Sequence, residues 1–228
     1  MEIARCTKYE IKSMKRVVVL AGAPMVGCLA LISVVAWCRR HPSACPYSQR
    51  FWLEIPRPFV TRHRLRRIIA PGAGERILEA DVGTGYCALK AADWVKPGGT
   101  IHAIDIQRQM VDHTARHADE LGINNIELHV ADACALPYPD DHFDSAYLVT
   151  VLGEIPDQDA ALRELRRVLR PGGRLVVGEV IGDPHMVGFR TLRKRAEKAG
   201  LCYELRLGGW PGYFARFVKI IRTAAATA

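Results

Sequence analysis

The chain has 228 residues, 49% of them apolar and 25% charged, which supplies material for a sizeable globular core and excludes a disordered or low-complexity protein. Its net charge of +8 is unevenly placed: residues 1–70 carry 13 Lys+Arg against 3 Asp+Glu (+10), and the rest carries 19 against 21 (−2). A basic excess confined to the leading segment, with a slightly acidic body, argues against a nucleic-acid partner, since a nucleic-acid-binding domain carries its positive surface on the fold itself.

Residues 1–16 form a basic segment with Arg5, Lys8, Lys12, Lys15 and Arg16. Val17–Trp37 follows as 21 residues without a charge. As a helix this run is long enough to cross a hydrocarbon layer of ~30 Å, and Trp37 then Arg39-Arg40-His41 close it in the manner of a membrane interface. The alternative is a cleaved signal peptide, but the apolar run is overlong, no small-x-small site follows, and Met25-Val-Gly-Cys28 is a poor lipoprotein-type site. The expectation is a single-pass transmembrane helix over 17–37, whose orientation the basic residues at both ends leave open. The seven cysteines (6, 28, 38, 45, 87, 134 and 202) show no CxxC pair, which points to reduced thiols in a cytosolic setting, and no metal cluster is evident.

Residues 38–71 read as a basic, aromatic connector of helical pieces, broken by Pro56 and Pro58. Phe51, Trp52, Ile55, Phe59, Leu65 and Ile68 are apolar, while Arg57, Arg62, Arg64, Arg66 and Arg67 are cationic. Such a stretch suits an anionic lipid surface, or a helix packed on the domain by its apolar side.

From 72 to 228 the pattern becomes alternating strands and helices. Strands are predicted at Arg76–Ala80, Thr100–Asp105, Ile126–Ala131, Phe143–Val149 and Arg174–Val180. Helices are predicted at Ala88–Val95, at Gln107–Leu121 (ended by Gly122), at Asp157–Leu169 (with Asp157 as N-cap) and at Gly188–Ala199. Lys96-Pro-Gly-Gly99 and Arg170-Pro-Gly-Gly173 each read as a turn from helix to strand. Cys202–Leu207 and Tyr213–Ile220, joined by Gly208-Gly-Trp-Pro-Gly212, carry a hairpin signature, and Ala224–Ala228 reads as a frayed tail. The expected fold is α/β and Rossmann-like: a seven-stranded, mostly parallel sheet with helices on both faces and a C-terminal antiparallel hairpin, preceded by the transmembrane helix.

The chemistry centres on Arg76–Tyr86, an apolar run that passes into a small-residue turn. Gly83-Thr-Gly85-Tyr-Cys-Ala88 fits G-x-G-x-x-G/A, and Asp105 lies 20 residues beyond Gly85 at the end of the next apolar run, where a carboxylate can accept from both ribose hydroxyls. Three features favour S-adenosylmethionine over a dinucleotide. Glu79, inside the strand before the loop, suits a cationic ligand better than a pyrophosphate. Asp132, at the end of the third strand, can accept from an adenine amino group. The closing hairpin is foreign to ordinary dinucleotide folds.

Residues from about 72 to 220 resemble a class I S-adenosylmethionine-dependent methyltransferase. Leu78-Glu-Ala-Asp-Val-Gly-Thr-Gly-Tyr86 is similar to its first motif, Ile104-Asp105-Ile106 to its second, and Ala131-Asp132-Ala133 with Leu136-Pro137 to its third. Phe143-Asp144, Val151–Asp157 and Arg167–Leu175 extend the match, which looks closest to the quinone C-methyltransferase and phospholipid N-methyltransferase branch. The resemblance implies that Gly83 and Gly85 lie under the methionine part of S-adenosylmethionine, and Glu79, Asp81, Thr84 and Tyr86 are further cofactor-binding candidates around that loop. It also implies that Asp105 holds the ribose, Ile106 packs on the adenine, and Asp132 with Ala133 meets the adenine edge. Capping for Asp105 and turn formation for Asp132 are the structural alternatives.

One departure stands out: Asp81 occupies a position where the family has Gly, and its side chain must either pair with the cofactor's ammonium or sulfonium or fill the pocket. Glu154, after the fourth strand, and His185, after the fifth, are candidate general bases or loop anchors. Tyr86, Tyr138, His142 and Trp210 are candidate walls for the acceptor. The expectation is a membrane-tethered methyltransferase with its catalytic domain in the cytoplasm, acting on a small or lipid-like acceptor, either a quinone precursor or an aminophospholipid. The alternatives are a non-catalytic scaffold of the same fold and an NAD(P)-dependent oxidoreductase.

Overall fold

The computed structural model describes residues 33, 36, 37, 40–55 and 58–220. By internal contacts the chain divides into Met1–His41 and Pro42–Ala228. The expected span 17–37 lies outside the described residues except for Ser33, Ala36 and Trp37, and no helix among the described residues is long and apolar enough to cross a membrane. The basic segment 1–16 and the tail Ala224–Ala228 also lie outside them.

Within Pro42–Ala228 the strands are β1 (Arg76–Ala80), β2 (Thr100–Asp105), β3 (Ile126–Val130), β4 (Phe143–Val149), β5 (Leu169–Val180), β6 (Leu201–Gly209) and β7 (Gly212–Lys219). They form one seven-stranded sheet in the order β3-β2-β1-β4-β5-β7-β6. The first five are parallel, and β7 runs antiparallel to both β5 and β6. Chain order reverses between β1 and β4, so the connections leaving those two strands diverge and open a crevice at their carboxyl ends.

The helices are α1 (Phe51–Glu54), α2 (Arg62–Ile69), α3 (Ala88–Ala91), α4 (Arg108–Glu120), α5 (Gln158–Val168) and α6 (Phe189–Lys198). α2, α3 and α4 cover one sheet face, and α5 and α6 the other. Burial alternates accordingly: on β1, Ile77 faces the first layer, and Leu78 and Ala80 face the second.

Several element ends follow from single residues. The Asp157 carboxylate accepts from Ala160 N at 2.8 Å and starts α5, as its sequence predicts. Gly122 N donates to Asp119 O and Ile123 N to Ala118 O, the paired bonds of a Schellman ending for α4. In the 38–71 segment, α2 is capped by Thr61 Oγ1 and buries Leu65, Ile68 and Ile69 against the sheet, each worth about 2 kcal/mol of transfer free energy. Arg66 and Arg67 are exposed while Arg62 and Arg64 are half-buried, and the packed-helix reading of this stretch holds for α2.

Two predicted boundaries move by more than two residues. α3 is only four residues long, because Ala92–Pro97 continues as turns. Arg170-Pro-Gly-Gly173 is not a turn before β5 but part of it. Leu169 pairs with Phe143 and Arg174 with Ser145, so the extra residues form a bulge.

Candidate functional site

Three adjoining cavities open at the carboxyl ends of β1, β2, β4 and β5. The smallest, about 60 Å³, lies over the loop after β1 and is lined by Glu79, Asp81, Gly83, Thr84 and Tyr86. A second, about 450 Å³, is lined by Asp81, Asp105, Ile106, Asp132, Ala133 and the 155–157 turn. A third, about 430 Å³, lies between Leu53, Pro58 and Phe59 on one side and Val180–Pro184 on the other. Glu154 lines all three. The predicted residues of β1, β2 and the loop after β3 therefore meet around connected space.

The floor is built by hydrogen bonds from buried acids. Asp105 is 1% exposed; its Oδ2 accepts from Gly83 N at 3.0 Å and its Oδ1 from Gln107 N at 2.7 Å. Glu79 is buried and accepts from the Tyr147 hydroxyl at 2.6 Å. Burial pushes its carboxyl up to about 8, with the Asp105 charge adding to the effect. Burial likewise holds the Asp81 carboxyl well above the ordinary carboxylate range, and the Asp105 charge beside it and a carboxyl–carboxylate hydrogen bond act in the same direction. Four acids, Glu79, Asp81, Asp105 and Glu154, thus crowd one corner, and a bound cation there would relieve their mutual repulsion.

Asp81 sits at φ 70°, in the left-handed region where Gly is at ease and Asp is tolerated. The fold keeps the turn and accepts the side chain, which borders both smaller and larger cavities. Thr150, a β-branched residue at φ 59°, is a second strained position at a strand tip lining the site. Gly85 lines none of the three cavities. At φ 80° a Cβ would come within 2.7 Å of Thr114 Cγ2, so its smallness serves the seating of the loop on α4.

Asp132 forms a turn, its Oδ1 accepting from Cys134 N at 2.8 Å, and it also borders the larger cavity. Arg167 of α5 holds this loop by donating to the carbonyls of Leu136 (3.0 Å) and Tyr138 (2.8 Å). Ile106 is 61% exposed beside the same cavity, an apolar surface available to a flat ring. Thr84 Oγ1 is sealed from solvent and has no hydrogen-bond partner, an orphan at the bottom of the smallest cavity.

Other predicted residues fall elsewhere. His185 lines none of the three cavities. Its backbone packs on Gly153, where a Cβ would meet His185 O, and its Nδ1 is 3.7 Å from Asp183 Oδ1. Of the candidate acceptor walls only Tyr86 borders a cavity, with the Arg62 guanidinium 4.0 Å over its ring. Tyr138 and His142 pack with His102 and Phe143 and line none of the three cavities, and Trp210, 82% exposed at the hairpin tip, touches none of them either.

Sequence reasoning also missed the strap formed by residues 42–55. Gln107 Nε2 donates to Cys45 O at 2.8 Å, Gln107 Oε1 accepts from Tyr47 N at 3.1 Å, and Glu154 Oε2 accepts from Cys45 N at 3.1 Å. Pro42–Ala44 border the larger cavity, and Leu53 lies 3.1 Å from where a Gly83 Cβ would stand. The position of Gln107 directly after Ile104-Asp105-Ile106 was the only signal; nothing in the connector marked Cys45 or Leu53.

A profile of the ubiE/COQ5 methyltransferase family matches residues 57–191. The chain is 35% identical over 154 residues to a ubiquinone/menaquinone biosynthesis C-methyltransferase UbiE of Shewanella frigidimarina, covering 64% of this chain and 58% of that protein. It thus spans less than two thirds of the length of this relative. Among solved structures it is similar to a SAM-dependent methyltransferase from Aquifex aeolicus, with a TM-score of 0.72, 19% identity, and coverage of 78% of this chain and 100% of that one. It is also similar to the [4+2]-cyclase SpnF, with a TM-score of 0.63, 22% identity, and coverage of 70% and 80%. At these identities the two structures share the fold with this chain, and the fold alone does not fix the chemistry.

Proposed function

The chain belongs to the ubiE/COQ5 methyltransferase family, a branch of the class I S-adenosylmethionine-dependent methyltransferases, and from that premise we propose that it methylates a ring carbon of a lipophilic quinone precursor. The observation that carries this reading is Glu154, the residue common to the three cavities.

The residues fit the cofactor. Asp105, Ile106, Asp132 and Ala133 would hold the adenosine in the 450 Å³ cavity, and Thr84 Oγ1, orphaned in the free chain, would gain a partner at the methionine end. When bound, S-adenosylmethionine supplies a methyl group already activated on a sulfonium. Glu79, Asp81 and Asp105 neutralise positive charge at that corner. The strap 42–55 and its Gln107 anchor keep water from the smallest cavity, so alignment and dryness provide most of the acceleration. The third cavity, walled by Leu53, Pro58, Phe59, Val180 and Ile181, is apolar enough to take an aromatic ring. Glu154 borders it and the cofactor cavities together, where a carboxylate receives the proton that a ring carbon loses on methylation.

The membrane tether is part of the same proposal. Its support is the uncharged run 17–37, the exposed Arg66 and Arg67 of α2, and Phe51 and Ile55 exposed on the strap. A tether of this kind concentrates a lipid-soluble acceptor at the site and places the domain on the cytoplasmic side, where S-adenosylmethionine is made. A non-catalytic reading rests on Asp81, whose carboxyl intrudes where the family carries Gly.

The test is incubation of the full chain in membranes with methyl-labelled S-adenosylmethionine, followed by lipid extraction. Label in a quinone-ring lipid is the expected result, and Glu154→Gln should lower kcat far more than it raises KM. Label in an aminophospholipid would replace the acceptor. If S-adenosylhomocysteine at millimolar concentration gives neither heat nor a thermal shift, the non-catalytic reading takes over.

A further inference from the structure

We propose that His102, Glu127 and His129 form a binding site for a divalent transition-metal ion of the zinc class, pinning edge strand β3 to β2. His102 stands directly opposite Glu127 in the β2–β3 ladder, and His129, two residues along β3, projects from the same face. His102 Nδ1 is 3.3 Å from Glu127 Oε2, His129 Nε2 is 4.0 Å from the same oxygen, and the three ligand atoms all lie within 4.8 Å of one another.

His102 is the residue that points to a ligand. It is 6% exposed, and its Nδ1 is sealed from solvent and lacks a hydrogen-bond partner, because the approach of Glu127 has the wrong geometry for one. Tetrahedral zinc bound at ~2.0–2.1 Å sets its ligand atoms about 3.4 Å apart. The His102–Glu127 pair already has that spacing, and His129 needs to close by about 0.6 Å on this measure. Glu127 and His129 have side chains 57% and 48% exposed, so rotation of either achieves the shift. Rings pack edge-on around the ligands and restrict them: Tyr138 against both His102 and His129, and Phe143 against His102. His142 is close to His102 but faces Arg76, its Nδ1 3.5 Å from the guanidinium, and is not a ligand.

Two imidazoles and a carboxylate select zinc, cobalt or nickel over magnesium and calcium, which demand oxygen ligands. The structural benefit is local. Among the described residues β3 pairs only with β2, and its residues are half-buried or exposed, so little apolar burial fastens it. A metal bridging the two strands supplies that fastening, at a place that borders none of the three cavities above.

The experiment uses the purified, chelator-treated full chain. Zn2+ should bind saturably and raise the melting temperature, Mg2+ should do neither, and Co2+ should develop a visible absorption that Zn2+ displaces. Glu127→Gln and His129→Ala change surface side chains and should each weaken Zn2+ affinity at least tenfold while leaving S-adenosylhomocysteine binding intact. The double variant should lose the Zn2+-dependent rise in melting temperature. No Zn2+-dependent rise in the unaltered chain, or undiminished Zn2+ affinity in the double variant, overturns the site.

Discussion

Asp105 Oδ2 accepts the Gly83 amide at 3.0 Å, so the acid that ends β2 holds the loop that leaves β1. Its other oxygen takes the Gln107 amide at 2.7 Å, tying the same loop to the start of α4. One buried carboxylate therefore shapes the cavity that it also borders. Replacement by Ala leaves two inward amides without an acceptor, each loss costing about 1–3 kcal/mol. Asp105→Ala should lower the melting temperature by several degrees and weaken S-adenosylhomocysteine binding at least tenfold by calorimetry. Weak binding with unchanged melting would assign Asp105 to the ligand alone.

Asp81 separates two effects. Gly at φ 70° removes left-handed strain worth about 1 kcal/mol as well as a half-buried acid crowded by Asp105, so Asp81→Gly should raise the melting temperature. The carboxyl also borders both proposed cofactor cavities, and under that proposal it meets the sulfonium. Affinity for S-adenosylmethionine should therefore fall about fivefold relative to S-adenosylhomocysteine, whose sulfur is uncharged. An equal change for both ligands would remove Asp81 from contact with the cation.

Glu79 makes the free chain sensitive to pH. Its carboxyl titrates near 8 in the fold and near 4.5 when unfolded, so between those values the folded state binds a proton that the unfolded state lacks. The stabilisation is complete below pH 4.5 and declines as pH rises toward 8, by up to about 1.4 kcal/mol per pH unit. Glu79→Gln should flatten this part of the stability profile in denaturant titrations. Binding of a cationic cofactor should expel protons from the acid corner, read as calorimetric heats that depend on the buffer's ionisation enthalpy.

Gln107 clasps the strap through Cys45 O and Tyr47 N. Gln107→Ala should free residues 43–49 to exchange amide hydrogens faster and raise KM for the methyl donor about tenfold, the weight of one or two hydrogen bonds. An unchanged exchange pattern would show that α1 and the Glu154 bond to Cys45 N hold the strap down without Gln107.

Thr84 offers the reverse of the usual trade. With Oγ1 already orphaned, Thr84→Val should leave the free chain as stable or slightly more so, while cofactor affinity falls. Destabilisation of the free chain would place a hidden partner on that hydroxyl.

Local rules determined the strand boundaries at Arg76–Ala80, Thr100–Asp105 and Phe143–Val149, and also the Asp157 cap and the Gly122 ending, because short apolar runs bounded by turn residues, and capping, act over a few neighbouring residues. The motifs also located the turn after β1, since it is a local backbone requirement and even Asp81 obeys it. What joins distant parts of the chain was decided by tertiary structure alone. The Cys45 strap on Gln107, the exclusion of His185 from the cavities, and the meeting of His102 with Glu127 and His129 depend on sheet order and register. Sequence spacing places each of these residues on an element, but packing decides which elements face one another, and that choice brings their side chains within bonding distance.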